Sequence, residues 1–259
     1  MLTTTTNYRL IARDLDQSLE RTGEQAPVAR EIAYYKENIS KIKSIDDFIG
    51  NSRIFNTAMK AFGLEDMAYA KAYMRTVLSE GVADPNSFAN RLNDDRFVNF
   101  AKTFNFAANG DATTQSADVT EGVIDKFVRQ TLEVQAGSDD DGVRLALYFQ
   151  REAPTVKSAY GLLADEALWT VVKTIFGFPD TMANADIAQQ AAMVNQRLDI
   201  ADLKDPQKLE RLITRFTAVW DATQNVNSDP ILTLFDPSLQ PSLDGDLLMA
   251  VVSLKHGGS

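Results

Sequence analysis

The sequence predicts an all-α fold, a bundle of about ten helices with no significant sheet. Apolar residues recur at three- and four-residue spacing along almost the whole chain, which is typical of amphipathic helices. No run of alternating apolar and polar residues is closed by a two-residue glycine turn, so a β-hairpin is not expected. The 259 residues, of which 44% are hydrophobic, are enough to bury a sizeable core.

Two helices are predicted in the N-terminal part of the chain, at about 8–22 and 27–43. Pro27 suits the first turn of the second helix, because its missing N–H would have no partner there. Ser44 followed by Asp47 is a variant of the capping box and predicts that a short helix begins here.

Two apolar stripes follow, and each predicts a helix that ends at a glycine. The stripes comprise Ile54, Phe55, Ala58, Met59 and Phe62, and then Met67, Ala70, Met74, Val77 and Leu78. Gly63 and Gly81 come directly after them, where a left-handed residue commonly ends a helix. Asp84-Pro85 then predicts a capped helix that continues to Leu92.

The middle of the chain predicts a break between helices. A helix with Phe97, Phe100, Ala101 and Phe104 is followed by residues 107–120, which are small and polar. We expect this stretch to be a linker or an exposed loop. Helices should resume at 121–136, with Gly137 as terminator, and at 139–152, where Pro154 ends the helix.

An internal similarity points to two copies of one helical unit. Residues 44–66 align without gaps to residues 158–180, at a constant offset of 114 positions. Further pairs are Phe62-Gly63 with Phe176-Gly177, Asp84-Pro85 with Asp205-Pro206, and Arg96-Phe97 with Arg215-Phe216. The interpretation is two diverged copies, at about 44–106 and 158–221. Chance similarity between amphipathic helices is the alternative.

The expected organisation is one compact domain made of five segments. These are N-terminal helices at 1–43, the first unit at 44–106, a linker loop and two connecting helices at 107–157, the second unit at 158–221, and a loop and C-terminal helix at 222–259.

Composition excludes several classes of function. The chain has no cysteine, so it has no disulfides and no thiolate chemistry, and a histidine-based site would depend on His256 alone. The net charge of −10 disfavours binding to nucleic acid or to anionic lipid. No stretch approaches 18 uninterrupted apolar residues, so no membrane-spanning segment is expected.

Candidate sites among the acidic residues are better explained as helix caps. Asp139-Asp140-Asp141-Gly142 resembles a calcium loop, but aligning the glycine puts Gly137 and Tyr148 at ligand positions. The acidic pairs Asp46-Asp47, Glu65-Asp66 and Asp94-Asp95 also lie at predicted helix starts. The prediction is therefore no catalytic residue, no cofactor and no metal ligand. Trp169 and Trp220 are expected to be core anchors of the second unit.

The two chain ends leave alternatives open. Residues 243–254 place Leu243, Leu247, Leu248, Val251 and Val252 on one side of a helix, which would dock on its own core or on a partner. The Thr-rich start is expected to be frayed. The alternative is a disordered export signal of the flagellar or type III sort.

Several residues in the first half resemble a known family. They are Tyr34-Tyr35, Asn38-Ile39, Asp46-Asp47-Phe48, the corner Ala61-Phe62-Gly63-Leu64-Glu65-Asp66, and Phe104-Asn105-Phe106. In these the chain resembles the bacterial domain of unknown function 1217 family, whose members are alphaproteobacterial and are often encoded among flagellar genes. The resemblance implies an all-helical fold and a role in flagellar assembly or function, and it implies no catalytic residues.

Three hypotheses of function follow. The first is a non-enzymatic helical protein that contacts protein partners, among them flagellar components, either in the cytoplasm or after export without a cleaved signal peptide. The second is a cytosolic adaptor or chaperone-like module unconnected with flagella. The third is a carboxylate-based hydrolase, whose structural sign would be an apolar-lined cleft that holds two convergent acids.

Overall fold

The computed structural model describes residues 2–92 and 94–224. These residues form helices and short turns and no β-strand, so the predicted all-α fold is confirmed. The helices of the first half are α1 (Thr4–Ala12), α2 (Leu15–Glu24), α3 (Ala26–Asn38), α4 (Ile45–Gly50), α5 (Ser52–Ala61), α6 (Lys71–Glu80), α7 (Phe88–Arg91), α8 (Asp95–Thr103) and α9 (Phe106–Asn109). Those of the second half are α10 (Val123–Asp139), α11 (Asp141–Glu152), α12 (Ala159–Ala164), α13 (Glu166–Phe176), α14 (Ile187–Arg197) and α15 (Pro206–Gln224).

The first predicted helix is divided in two. A single helix over 8–22 is wrong, because the chain ends α1 at Ala12 and begins α2 at Leu15. Asp14 causes the new start, since its Oδ1 accepts the N–H of Gln17 at 3.2 Å. The second predicted helix is α3, with Pro27 in its first turn as expected.

The capping box and the glycine stop are confirmed. Ser44 Oγ accepts the N–H of Asp47 at 3.1 Å, and Asp47 Oδ2 accepts the N–H of Lys43 at 3.2 Å. After α5 the chain turns at Gly63, whose φ is +67°. The N–H of Leu64 then donates to the carbonyl of Met59 at 2.8 Å, which is the closing bond of a left-handed helix end.

Two predicted helix boundaries are wrong. Asp84-Pro85 forms a turn in which Asp84 Oδ1 accepts the N–H of Asn86 at 2.8 Å, and α7 begins only at Phe88. Gly137 does not end a helix, because α10 continues to Asp139. The glycine serves a close approach instead, since a Cβ there would lie 2.7 Å from Cδ of Arg144 on α11.

Residues 107–120 are mostly exposed, as expected, but they form helical turns instead of an irregular loop. They belong to α9, a 3-10 turn at Gly110–Gln115 and the start of a π-helix at Asp118–Gly122. The buried Thr114 hydroxyl donates to the carbonyl of Ile42 at 2.8 Å, and the Tyr35 hydroxyl donates to that of Val119 at 2.9 Å. Buried hydroxyl contacts thus hold a stretch that lacks large apolar anchors.

Eight of the fifteen described helices pack as two groups of four. The first four-helix unit consists of α2, α3, α5 and α10, and the second consists of α1, α11, α13 and α15. Each unit has its own cluster of buried hydrophobic residues, and α10 packs against α11 where the units meet. The helix α11, predicted as a connecting helix, supplies Val143, Leu147 and Phe149 to the second cluster.

The Thr-rich start is ordered, so the expectation of a frayed start is wrong. Thr4 begins α1, and its N–H donates to Asp221 Oδ1 at 2.7 Å. Its hydroxyl donates to Asp140 Oδ2 at 2.6 Å, and the N–H of Thr5 donates to Asp221 Oδ2 at 3.1 Å. The predicted C-terminal helix at 243–254, and His256, lie outside the described residues.

Candidate functional site

The chain reversal after α5 forms a rigid corner, which we call the Phe-Gly corner (residues 61–70). The carbonyl of Gly63 accepts a hydrogen bond from Arg96 Nη1 at 2.8 Å. Asp94 holds that arginine with both carboxylate oxygens, at 3.1 Å from Nε and 2.8 Å from Nη2. Hydrogen bonding to Asp94 raises the pKa of Arg96. A charged side chain from α8 therefore braces the corner that distinguishes the sequence.

The far side of the corner presents an aromatic side chain to solvent. Tyr69 is 82% exposed, the largest value among the exposed large hydrophobic side chains of the described residues. It follows a 3-10 turn, in which Ala68 N–H donates to Glu65 O at 3.2 Å. Glu65 and Asp66 are also exposed. The corner thus offers an aromatic ring close in sequence to two carboxylates, on backbone that is held by hydrogen bonds.

A buried ionic group lies between α10 and α11. We call Arg129, Glu133 and Arg151 the junction network. Glu133 has a side chain that is only 2% exposed, and its Oε1 accepts hydrogen bonds from Arg129 Nε at 2.8 Å and Arg151 Nε at 2.9 Å. Glu133 Oε2 accepts a third bond, from Arg151 Nη2 at 2.9 Å. A buried carboxylate is thereby paired with two guanidinium groups, as its desolvation requires.

Further acidic groups lie close to Arg151 and Tyr148. Glu152 is ion-paired with Arg151, and burial raises the pKa of its carboxyl group. Asp165 accepts a hydrogen bond from the Tyr148 hydroxyl at 2.6 Å, and burial raises the pKa of Tyr148. These carboxylates are engaged with cations and hydroxyls.

Two surface pockets lie elsewhere. One, of about 400 Å³, is lined by Lys36 of α3, Glu121 of the π-helix and Asp125 of α10. The other, of about 460 Å³, borders the ion pair of Asp46 with Arg75. The residues that line these pockets do not include the junction network.

Most of the acidic residues singled out in the sequence lie at helix starts, although Asp139 is the last residue of α10. Asp94 Oδ1 accepts the N–H of Arg96 at 2.9 Å at the start of α8, and Asp140 Oδ1 accepts that of Gly142 at 2.8 Å at the start of α11. Hydrogen bonds from Ser44 and Lys43 lower the pKa of Asp47. Across residues 2–92 and 94–224, no group of three or more acidic or histidine side chains is arranged to hold a metal ion.

Both tryptophans pack against the second hydrophobic cluster, as predicted. Trp169 stacks on Phe178 with ring centroids 5.7 Å apart. Trp220 lies so close to Gly142 that a Cβ there would come within 2.4 Å of the indole ring. Their roles are therefore those of packing anchors.

The sequence did not predict one contact that occurs in both four-helix units, between a helix cap and a tyrosine. Asn51 caps α5 and Asp165 caps α13, each by accepting the N–H three residues later, at 3.2 and 2.9 Å. Each cap also bonds a tyrosine hydroxyl, Tyr34 for Asn51 at 3.2 Å and Tyr148 for Asp165 at 2.6 Å. The tyrosines are 114 positions apart, as are the caps, so the offset of the internal similarity was the signal.

Comparison with known proteins identifies relatives but no activity. A family described as "Protein of unknown function (DUF1217)" matches residues 61–209, which include the Phe-Gly corner and the junction network. A crystal structure of a protein from Agrobacterium tumefaciens, a structural-genomics target, is 49% identical, with a TM-score of 0.79. That similarity covers 87% of this chain and 97% of the other. A search of curated proteins found no match. Among the described residues, no helix is both long and apolar enough to cross a membrane.

Proposed function

Because this chain belongs to the bacterial domain of unknown function 1217 family, we propose that it acts by protein–protein contact in the assembly or function of the flagellum. The proposal rests on the resemblance, which implies proximity to flagellar genes. In this proposal the protein is not an enzyme, and its partners are protein components of the flagellum.

The exposed tip of the Phe-Gly corner is the observation that supports contact with a protein. Tyr69 is 82% exposed, and the backbone of its corner is already ordered by hydrogen bonds, so binding would order the side chain but not the backbone. Aromatic anchors of this kind dominate the energetics of many interfaces. Glu65 and Asp66 nearby favour a partner whose contact surface is basic around an apolar socket.

Deletion of the gene tests the flagellar role. We expect the deletion strain to swim less and to assemble fewer or shorter filaments, and the intact gene supplied in trans should restore both. Wild-type swimming with normal filaments would refute the flagellar role.

Substitution at the corner tests the contact surface. Tyr69→Ala should reproduce the deletion phenotype while the protein accumulates to its normal level, because the side chain makes little contact within its own fold. Tyr160→Ala, which removes a tyrosine that is 51% exposed on α12, is the matched control and should swim normally. If both variants swam as well as the wild type, the Phe-Gly corner would not be the contact surface.

Fractionation separates the flagellar proposal from a cytosolic adaptor. A flagellar component should co-purify with basal bodies or occur in the culture medium. Recovery only in the soluble cell extract, with partners unrelated to motility, would favour the adaptor.

We also propose that the two four-helix units are diverged copies of one ancestral unit. The same order of elements occurs twice: helix, 3-10 turn, short helix, helix and left-handed glycine. The helices are α3, α4 and α5 in the first copy and α11, α12 and α13 in the second. The 3-10 turns, Ile39–Lys41 and Ala153–Thr155, are 114 positions apart. Several corresponding helices make corresponding contacts, since α10 packs on α5 and α2 as α15 packs on α13 and α1.

The contacts favour a different pairing for the last helix of each copy. Lys126 Nζ lies 5.6 Å from the ring centre of Phe62, and the guanidinium of Arg215 lies 5.8 Å from that of Phe176. Arg215 therefore corresponds better to Lys126 of α10 than to Arg96 of α8. In this pairing α7, α8 and α9 are an addition to the first copy. A self-comparison of aligned relatives should recover the offset of 114, and its absence would contradict duplication.

A further inference from the structure

The boundary between the two four-helix units lies along α10 and α11. The hydrophobic cluster of the first unit includes Phe127 of α10, and the cluster of the second unit includes Val143 of α11. Each unit thus has a core of its own, and two separate cores in one chain can unfold separately unless their boundary couples them.

Most bonds of the junction network cross this boundary. Arg151 of α11 donates to both oxygens of Glu133 on α10, at 2.9 Å each. In the opposite direction, Arg129 of α10 donates through Nη2 to the carbonyl of Leu147 at 3.0 Å and to Gln150 Oε1 at 3.3 Å. Each arginine therefore donates hydrogen bonds to the facing helix, Arg151 from α11 and Arg129 from α10.

These bonds require a single register between the helices. A buried carboxylate and its guanidinium partners are stable only while every member of the network has its partner. A displacement of α11 along α10 by one residue, about 1.5 Å, would break bonds on both sides. Glu133, which is buried, would then lack the cation that compensates its charge.

We propose that the junction network is a lock that makes the two four-helix units unfold as one cooperative block. Apolar packing between α10 and α11 brings the units together, and the Glu133–Arg151 pair fixes their register. Loss of the pair uncouples the two cores without removing either of them.

The chain carries a probe for one unit only. Its two tryptophans, Trp169 in α13 and Trp220 in α15, both belong to the second unit. Tryptophan fluorescence therefore reports the second unit, whereas far-UV circular dichroism reports the helices of both.

Urea unfolding of the full chain, followed by both signals, tests the lock. For the wild type the two curves should coincide. For Arg151→Met, which removes the bonds to Glu133 and keeps much of the apolar stem, the curves should separate in their midpoints. Arg30→Met removes an exposed arginine of α3 and is the matched control, whose curves should coincide. Coincident curves for Arg151→Met, at whatever stability, would overturn the proposal.

Native-state hydrogen exchange of the wild type gives a result that does not depend on the variant's folding. If the lock operates, the most protected amides of α5 and α13 exchange through the same opening and respond equally to low concentrations of urea. Different responses of α5 and α13 would refute the coupling even if Arg151→Met failed to fold.

Discussion

At the residue scale, glycine at position 63 is required by backbone conformation. Its φ of +67° lies in the left-handed region, and a Cβ placed there would meet only ordinary contacts, such as Gln130 Nε2 at 3.7 Å. We therefore expect Gly63→Ala to lower the free energy of unfolding by about 1 kcal/mol, because an L side chain is strained at this φ. Urea denaturation measures the effect.

Two other glycines provide the comparison. Gly177 has a φ of +64° with nothing within 4 Å of an added Cβ, so Gly177→Ala should cost a similar amount. Gly50 has equal space without a left-handed φ, and Gly50→Ala should not destabilise the protein. A loss at Gly50 equal to that at Gly63 would contradict the explanation by backbone strain.

Contacts between residues close together in the chain, such as helix caps, were predicted well from the sequence. Ser44, Asp94 and Asp140 cap helices because a short polar side chain reaches an N–H two or three residues along its own chain. Glu133 was not predicted as buried. Its i,i+4 spacing to Arg129 suits an exposed helix face equally well, and only the approach of Arg151 from α11 decides its burial.

At the scale of helices, the start of α11 depends on a close approach. Gly142 is buried, and a Cβ there would lie 2.4 Å from Trp220 Cδ1 and 2.7 Å from Thr4 Cγ2. Gly142→Ala should therefore force α11 away from α15 and α1 and destabilise the protein by about 1–3 kcal/mol. Unfolding followed by tryptophan fluorescence measures this directly, since Trp220 is the nearest side chain.

A second helical glycine is the control for that substitution. At Gly161, in α12, an added Cβ would lie 3.4 Å from Val156 Cγ1, and Gly161→Ala should change stability much less. If both variants lost the same stability, the close approach of Trp220 to α11 would not be the reason for glycine at 142.

Helix boundaries were predictable where their cause is local. The residues next to Gly63 are enough to predict that the helix ends there, whereas α10 continues past Gly137. Position 137 is a glycine because Arg144 of α11 packs closely against it. The same reason explains residues 107–120, whose order comes from hydroxyl contacts with distant carbonyls.

At the scale of the whole molecule, the N-terminus is tied to the last described helix. Asp221 of α15 accepts the N–H groups of Thr4 and Thr5. Burial alone would raise the pKa of Asp221, but these hydrogen bonds outweigh it and the pKa is lowered. The resulting stabilisation is present above the unfolded pKa of about 3.9 and is lost as the pH falls through the folded value.

Stability measured against pH tests this tie. Asp221→Asn should lower the free energy of unfolding at pH 7, and the difference from the wild type should shrink as the pH falls below about 4. Glu20→Gln, at an exposed position of α2, should show little difference at any pH. A difference for Asp221→Asn that stayed constant down to pH 2 would mean that the carboxylate charge does not hold the N-terminus.

The sequence by itself determined the all-α class, the caps, the glycine stop after α5 and the offset of 114, because each depends on residues close together in the chain or on their periodicity. The tertiary structure decided that the Thr-rich start is ordered, that Glu133 is buried between two arginines, and that α10 packs against α11. Those facts depend on which helix faces which. That choice is made by packing between helices, whether the contacting residues are 18 positions apart, as Glu133 and Arg151 are, or 217 apart, as Thr4 and Asp221 are, and no local pattern records it.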